Sequence, residues 1–420
     1  MEKITGEVKI SSQGIKNISA FKAKIEKSLN ERVTDLLGII LGGAADLNSS
    51  DLHIEPGKEK AKIRIRIDGV LQDVIEINAE LYKNLLARIK LLSKIKLNIT
   101  DRPQDGRFSV LMAIDSKEQI AVEIRASTLP AERGESIVLR ILNPKNLVDI
   151  ESLGLRKELL ELFKQEIKKP NGMVIVTGPT GSGKTTTLYA FLKKIQQPEI
   201  KIITIEDPIE YHLEGISQTQ VTKGYDFASG LKSVMRQDPD VILVGEIRDQ
   251  ATVNTALQAA LTGHLVLTTL HTNDAAGTIS RLISLGGQAA NIGPAVNLAV
   301  GQRLVRRICQ KCSKLRNPTA KELQKLKKEL KRIPKNIKIP QAKGCSACNN
   351  TGYKGRIGIF EAFLVDDEME KFIATSPSIA ALREKAKKRG MLTMRQDGFM
   401  KGLSGITTIE EVERETGETK

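Results

Sequence analysis

The sequence predicts an α/β protein organised around a parallel sheet, with an α+β domain before it and a tetracysteine subdomain after it. Three observations carry that prediction. Between residues 153 and 305, the apolar runs MVIVTG, KIITIED, VILVGE and HLVLTTLH alternate with helical stretches. Continuous apolar strands belong to parallel sheets covered on both faces. From about 50 to 142 the pattern changes to short strands that alternate apolar and basic residues around one helix, LYKNLLARIKLLSKI. Finally, all four cysteines fall into two CxxC pairs, Cys309/Cys312 and Cys345/Cys348.

Taken in order, residues 1–45 form an amino-terminal helical extension around AFKAKIEKSLNERVTDLLGIIL. Residues 46–142 form the α+β domain. Its segment KIRIRIDGVLQDVIEI reads as a hairpin turning at Asp68-Gly69, and QIAVEIRAS and ESIVLRIL repeat the apolar-basic alternation. Residues 143–152 are a linker headed by Asn143 and Pro144. The parallel-sheet domain spans 153–305, a basic zinc-binding subdomain 306–355, and a helical region 356–420, whose last helix is capped by Thr408 and Glu411. There is no internal repeat or low-complexity tract.

Composition narrows the function classes. A chain of 420 residues predicts two to four domains. With 40% hydrophobic and 27% charged residues, wholesale disorder is excluded. The longest apolar run, LLGIILGGAA, is too short to span a bilayer. The start, MEKITGEVKISSQG, lacks the apolar region of a secretory signal. A soluble, cytoplasmic multidomain protein is expected. Its 65 Lys and Arg against 50 Asp and Glu give +15, which invites a nucleic-acid reading. Aromatic residues at 3%, without tryptophan, leave few stacking platforms for single strands.

The chemistry begins at GPTGSGKTTTLYA, which contains G-x-x-x-x-G-K-T directly after a strand and opening a helix. Gly178, Gly181 and Gly183 let the backbone curl so that N–H groups face phosphate oxygens, and the helix start adds to the attraction for an anion. Lys184 supplies charge to the β/γ-phosphates and Thr185 a hydroxyl for Mg²⁺. Pro179, Thr180, Ser182 and Thr186 complete the candidate nucleotide-binding set. Glu246 follows the run VILV and is placed at the carboxyl edge of the sheet, to hold the Mg²⁺ shell or to polarise the attacking water. The alternative for Glu246 is a surface pair with Arg248. Glu206, Asp207 and Glu210 follow another strand, although Asp207 before Pro208 is equally a turn signal. His264 opens the strand HLVLTTLH and His271 closes it. A strand-end histidine is more often a satisfied polar group than a catalyst, but both acidic and histidine segments would end on the phosphate-loop edge.

The CxxC pairs predict structural zinc, because two two-residue knuckles complete a tetrahedral shell of four thiolates. The insert of 32 residues between them is longer than in a typical zinc ribbon. Disulfides are disfavoured in a reducing cytoplasm, and a redox CxxC is usually single and at a helix start.

In combination and order, these segments resemble the secretion and pilus-assembly ATPases of type II secretion and type IV pilus systems (the GspE/PilB group). The matching stretches are SDLHIEP at 50–56, RPQDGRF at 102–108, the phosphate loop, TIEDPIE at 204–210, RQDPDVILVGEIRD at 236–249, TGHLVLTTLHTN at 262–273, QRLVRR at 302–307, both CxxC pairs, GRIGIFE at 355–361 and ITTIEEV at 406–412. The resemblance implies a homo-hexameric ATPase using ATP and Mg²⁺, with a RecA-like core. It makes TIEDPIE the aspartate box, with Glu206 and Glu210, and VILVGE the Walker B strand ending at Glu246. TGHLVLTTLH becomes the histidine box, closing at His271. It implies that arginines of the amino-terminal domain reach the phosphates, for which Arg107 and Arg125 match best; the alternative is an exposed strand-face charge, as for Arg64 and Arg66. Retraction-type relatives typically lack the tetracysteine insert, so its presence favours assembly or secretion, next to an inner-membrane platform protein. One departure is that assembly-class members usually carry a further amino-terminal docking domain, whereas about 45 residues precede SDLHIEP here. Two rivals are a nucleic-acid translocase on the same core and a nucleotide-switched scaffold without turnover.

The excess charge is local. Arg303 to Lys343 holds 15 Lys and Arg and two acids, a net 13, so the rest of the chain carries only +2. The segment is either a solvated lysine-rich helix or a basic patch for the anionic cytoplasmic leaflet or an acidic platform loop.

Overall fold

The computed structural model describes residues 9–113, 119–144 and 147–417. They form two compact units, one from the residues before 147 together with 343–354, the other from 147–342 and 355–420.

The first unit comprises β1 (Lys9–Ser11), α1 (Ile18–Lys27), α2 (Val33–Asp46), β2 (Asp51–Pro56), β3 (Lys60–Ile67), β4 (Val70–Asn78), α3 (Ala79–Leu92), β5 (Gln104–Ala113), β6 (Gln119–Ala131) and β7 (Gly134–Leu142). The strands make one seven-stranded sheet in the order β1-β5-β6-β7-β2-β3-β4. The hairpin turns where the sequence places it: Asp68 and Gly69 adopt φ of 51° and 83°, the left-handed values a two-residue hairpin loop requires. Alternation then sorts the faces. Ala61, Ile63 and Ile65 join a core with Phe21, Ile25, Leu36, Leu41, Leu85 and Ile89 from the three helices, while Lys62, Arg64 and Arg66 occupy the opposite face. The amino-terminal helices α1 and α2 therefore share a core with the sheet. The 343–354 segment is tied to them by Asn349, whose Oδ1 accepts from the Ile18 N–H at 2.8 Å.

The second unit contains α4 (Lys157–Glu166), β8 (Gly172–Thr177), α5 (Lys184–Ile195), β9 (Ile202–Glu206), β10 (Ser217–Gln220), α6 (Phe227–Val234), β11 (Val241–Val244), α7 (Gln250–Leu261), β12 (Leu265–Leu270), α8 (Ala275–Ser284), α9 (Ala289–Ala295) and β13 (Val296–Ile308). Its sheet runs β10-β9-β11-β12-β8-β13-β16, where β16 is Tyr353–Leu364. Every pairing from β10 to β13 is parallel. The continuous apolar runs are explained by burial on both faces. In β8, Met173 and Ile175 pack among α6 to α9, while Val174 and Val176 pack against Phe163 of α4 and Leu188 and Phe191 of α5. The sheet is thus the one the sequence predicts.

Beyond it come β14 (Lys314–Arg316), α10 (Ala320–Glu329), β15 (Ile339–Gln341), α11 (Asp367–Ala374), α12 (Ile379–Lys388), α13 (Met394–Leu403) and α14 (Ile409–Thr416). A separate cluster joins Val305, Leu326, Ile339, Ile359, Phe399 and Val412. The lysine-rich α10 is accordingly two-faced: Leu326 is buried, and Lys321, Lys327 and Lys328 are exposed. Thr408 caps α14 by accepting from the Glu411 N–H, and the Glu411 carboxylate takes the Arg306 main-chain N–H and guanidinium and the guanidinium of Arg414. Among the described residues no helix is long and apolar enough to cross a membrane.

One polar interaction is buried inside the first unit. Lys90 Nζ lies 2.8 Å from Glu135 and donates to the Ile99 carbonyl at 2.8 Å, and the Tyr82 hydroxyl donates to the Glu135 carbonyl at 2.7 Å. Removing one partner strands the other charge away from water. Glu135→Ala is expected to lower stability in denaturant titration by about 3–5 kcal/mol, whereas Lys90→Met/Glu135→Leu together should come out near neutral.

Candidate nucleotide-binding and metal sites

Register brings the sequence's candidates to one edge of the second sheet. Leu270, the end of β12, is opposite Thr177, the end of β8. Val244 at the end of β11 is opposite Thr268 on one side and Ile205 on the other. The residues at or just beyond these strand ends, Gly178, His271, Glu246 and Glu206, therefore emerge together. Side chains lock the edge: the Thr177 hydroxyl donates to the Leu270 carbonyl at 3.0 Å and accepts from the Thr272 N–H at 2.9 Å, and Thr269 Oγ1 donates to the Gly245 carbonyl at 2.7 Å.

The loop between β8 and α5 has the conformation a phosphate cradle needs. Gly183 caps α5 with φ of 87°, and a Cβ at Gly178 would lie 2.4 Å from the Gln302 carbonyl oxygen and 2.6 Å from Ser182 Oγ. A side chain at Gly178 would collide with both. Ser182 Oγ is buried without a hydrogen-bond partner among the described residues, as fits a loop shaped for a ligand oxygen. Lys184 is 9% exposed and donates to the carbonyls of Gly178 at 2.9 Å and Pro179 at 3.2 Å. Burial pulls its ammonium below the usual lysine range, against the opposing pull of Glu246 and then Glu210. Thr185 and Thr186, half-buried in the first turn of α5, stand where hydroxyls can meet a phosphate or Mg²⁺. The exposed Pro179 and Thr180 form the rim.

Glu246 has two partners. It pairs with Arg248, and its Oε2 lies 3.1 Å from Nε2 of the half-exposed His271. Glu246 thus stands at the sheet edge and makes the pair with Arg248 that the alternative reading expects. Arg248 also approaches Asp207 at 3.7 Å. Glu210 is half-buried in the loop after β9 and acts electrostatically on Lys184. Glu206 is buried and engaged by other side chains. His264 is placed at the opposite end of β12, where Nδ1 meets the Ala259 carbonyl at 3.0 Å.

In the first unit, Arg107 on β5 and Arg125 on β6 are direct cross-strand partners. The same register continues to Arg140 on β7, Asp51 on β2 and Arg66 on β3. Four arginines and one aspartate thus form a row across five strands. Asp51 holds Arg140 at 3.1 Å and Arg66 at 3.6 Å, while Arg125 pairs with Glu123 at 3.2 Å. Arg64 is bound by Glu55 at 2.5 Å. Arg140 was missed from sequence because only the strand register reveals it. Gln302 was also missed. It is buried beside the glycines of the loop and accepts from Thr187 at 2.8 Å.

The four cysteines are free thiols whose Sγ atoms all lie within 4.8 Å of one another. Cys345 and Cys348 sulfurs are 3.8 Å apart, the edge of a tetrahedron with metal–sulfur bonds of about 2.3 Å. The N–H groups of Cys345 and Gly352 point at Cys348 Sγ, at 3.2 and 3.3 Å, as they do towards a thiolate. The donor set fits zinc.

Comparison with known proteins agrees with this geometry. The family described as "Type II/IV secretion system protein" matches residues 26–414. Type II secretion system protein E of Pseudomonas aeruginosa is 42% identical over 397 residues, covering 94% of this chain and 77% of that protein. Type IV pilus assembly ATPase PilB of Thermus thermophilus is 42% identical over 368 residues, covering 87% of this chain but 41% of that longer protein. The X-ray structure of the ATPase DotB of Legionella pneumophila superposes with a TM-score of 0.66 at 22% identity, covering 90% of this chain and 95% of that one, a likeness of fold. Matched by that family over residues 26–414 and by such relatives over most of its length, the chain belongs to the type II/IV secretion system protein family.

Proposed function

We propose that this chain is an ATP hydrolase that works as a homo-hexameric, Mg²⁺-dependent motor for the assembly of pilin-like subunits. The observation that carries the reading is the convergence of Lys184, Glu246 and His271 on one sheet edge beside the glycine cradle. On nucleotide binding, Lys184 exchanges the carbonyls of Gly178 and Pro179 for β/γ-phosphate oxygens. The buried Ser182 hydroxyl and the N–H groups at the start of α5 complete the cradle. Mg²⁺, held through Thr185, would neutralise phosphate charge. Glu246 polarises the attacking water and accepts its proton, with His271 orienting the carboxylate, a role worth roughly 10²–10⁴ in rate. Glu210 adds negative charge on the Lys184 side. Arg107 and Arg125 stabilise charge developing on the transferred phosphoryl group, worth up to roughly 10³–10⁵.

Zinc on Cys309, Cys312, Cys345 and Cys348 is structural in this reading, since four thiolates leave no open coordination position. The protein acts in the cytoplasm at the inner face of the membrane, where a platform protein receives the motion. The exposed lysines of α10 give it a surface for anionic lipid. The low aromatic content leaves a nucleic-acid substrate without support.

Three measurements test this reading. Lys184→Ala is expected to lose ATP binding and hydrolysis, and Glu246→Gln to lose hydrolysis by about 10²–10⁴ while still binding ATP; parent-level phosphate release in both would remove the site assignment, and stimulation by DNA or RNA would favour the translocase. Metal analysis should give one zinc per chain, lost in Cys309→Ser/Cys312→Ser; retention of zinc by that variant rules the tetrathiolate site out. Co-sedimentation with liposomes should rise with anionic lipid and fall with salt, and binding indifferent to both removes the lipid surface.

A further inference from the structure

Glu206 ends β9 at the same edge as the phosphate loop, yet both its oxygens are already engaged. Oε2 accepts from the Tyr189 hydroxyl, and Oε1 accepts from Thr204 Oγ1 at 2.6 Å and Gln218 Nε2 at 3.1 Å. Each donor belongs to a different part of the site. Tyr189 lies on α5, five residues after Lys184, and is 1% exposed. Gln218 lies on β10, and its side chain also closes the loop after β9, donating to the Tyr211 carbonyl at 3.0 Å and accepting from the Leu213 N–H at 2.8 Å. The Tyr189 and Tyr211 rings meet edge to face, with centroids 6.2 Å apart. Burial, and then the charge of Glu206, hold the Tyr189 hydroxyl well above the usual phenol range, so it remains a donor. A general base needs a lone pair aimed at the proton it takes. The Glu206 lone pairs are aimed at three protein donors.

We infer that Glu206 and Tyr189 form a pin between α5 and the loop carrying Asp207 and Glu210, so that Glu206 is a positioning residue rather than the acceptor of a proton. The inference rests on the ATPase reading for its kinetic consequence and on the hydrogen-bond network for its structural one. The pin connects the two charged elements around Lys184. The helix that begins with that lysine and the loop that presents Glu210 to it are joined at this buried carboxylate, beside the Tyr189–Tyr211 contact and a bond from Gln196 at the end of α5 to the Glu214 carbonyl. A displacement of about 1 Å in such groups can cost up to about a hundredfold in turnover.

The test uses the full-length chain with Tyr189→Phe, Glu206→Gln and the double variant. Glutamine keeps one oxygen, which can accept from Tyr189 or from Thr204 and Gln218 but not from both sides, and it cannot take a proton. Glu206→Gln should stay within about tenfold of the parent in kcat, and Tyr189→Phe should fall by a similar factor with the KM for ATP little changed. The double variant should fall no further than the weaker single, because both act as one unit. A loss of a hundredfold or more in Glu206→Gln, with Tyr189→Phe at the parent rate, overturns the inference, as do losses that multiply in the double variant. Amide hydrogen exchange supplies a readout that needs no turnover: Tyr189→Phe should speed exchange over residues 207–216 and leave the first unit unchanged. Unaltered exchange there overturns the pin. A parent protein that releases no phosphate, with exchange over 207–216 still accelerated in the variant, refutes the ATPase reading and leaves the pin standing.

Discussion

The second unit depends on one constraint: six neighbouring strands run in the same direction, and five of them, from β10 to β8, finish at nearly the same height. The parallel register from β10 through β8 sets these ends side by side. Whatever follows a strand is delivered to one line. A glycine-rich loop follows β8, acids follow β9 and β11, and a histidine follows β12. Hydroxyls secure the line where the hydrogen-bond ladder gives out, with Thr177 and Thr269 bonding main-chain groups of neighbouring strand ends. Ligand sites in open α/β sheets form outside the carboxyl ends of strands for this geometric reason.

That constraint explains which parts of the site could be read from the sequence. Continuous apolar runs mark buried parallel strands, so the first polar residue after each run falls at the sheet edge. Glu246 and His271 were legible in this way, Lys184 through the G-x-x-x-x-G-K-T pattern, and the cysteine knuckles through their spacing. Arg140 and Asp51 were not, because they are distant in sequence and meet only through antiparallel register in the first sheet. Tyr189 reads as one more apolar position of an amphipathic helix, and its hydroxyl acquires a role only when β9 delivers Glu206 beside it. Gln302 lies inside the long strand β13, where polarity alone gives no direction.

The net charge was a poorer guide. Counted along the chain, the basic segment carries its excess undiluted, because the acids that answer it lie about a hundred residues later. Arg306 is held by Glu411 at 2.6 Å, and Lys325 by Glu413 at 2.7 Å. Arg316 is taken by Glu322 at 2.5 Å, within the segment itself. The inward cations are therefore structural, joining α10, β13 and α14 around Leu326 and Val412. What faces solvent is the other side of α10. Local charge sums count residues and ignore faces, whereas the fold separates them.

The side chain of Lys184 gives the loop a further property. An ammonium buried at the mouth of an anion cradle would repel the surrounding N–H dipoles if it had nothing to hold. By folding onto the carbonyls of Gly178 and Pro179, it finds two acceptors within the loop. Nucleotide capture is then a substitution of partners. Its driving force is the difference between phosphate and peptide oxygens as acceptors for one cation, and the vacated carbonyls must find water. A cradle built this way can trade one set of oxygens for another without leaving its cation unpartnered.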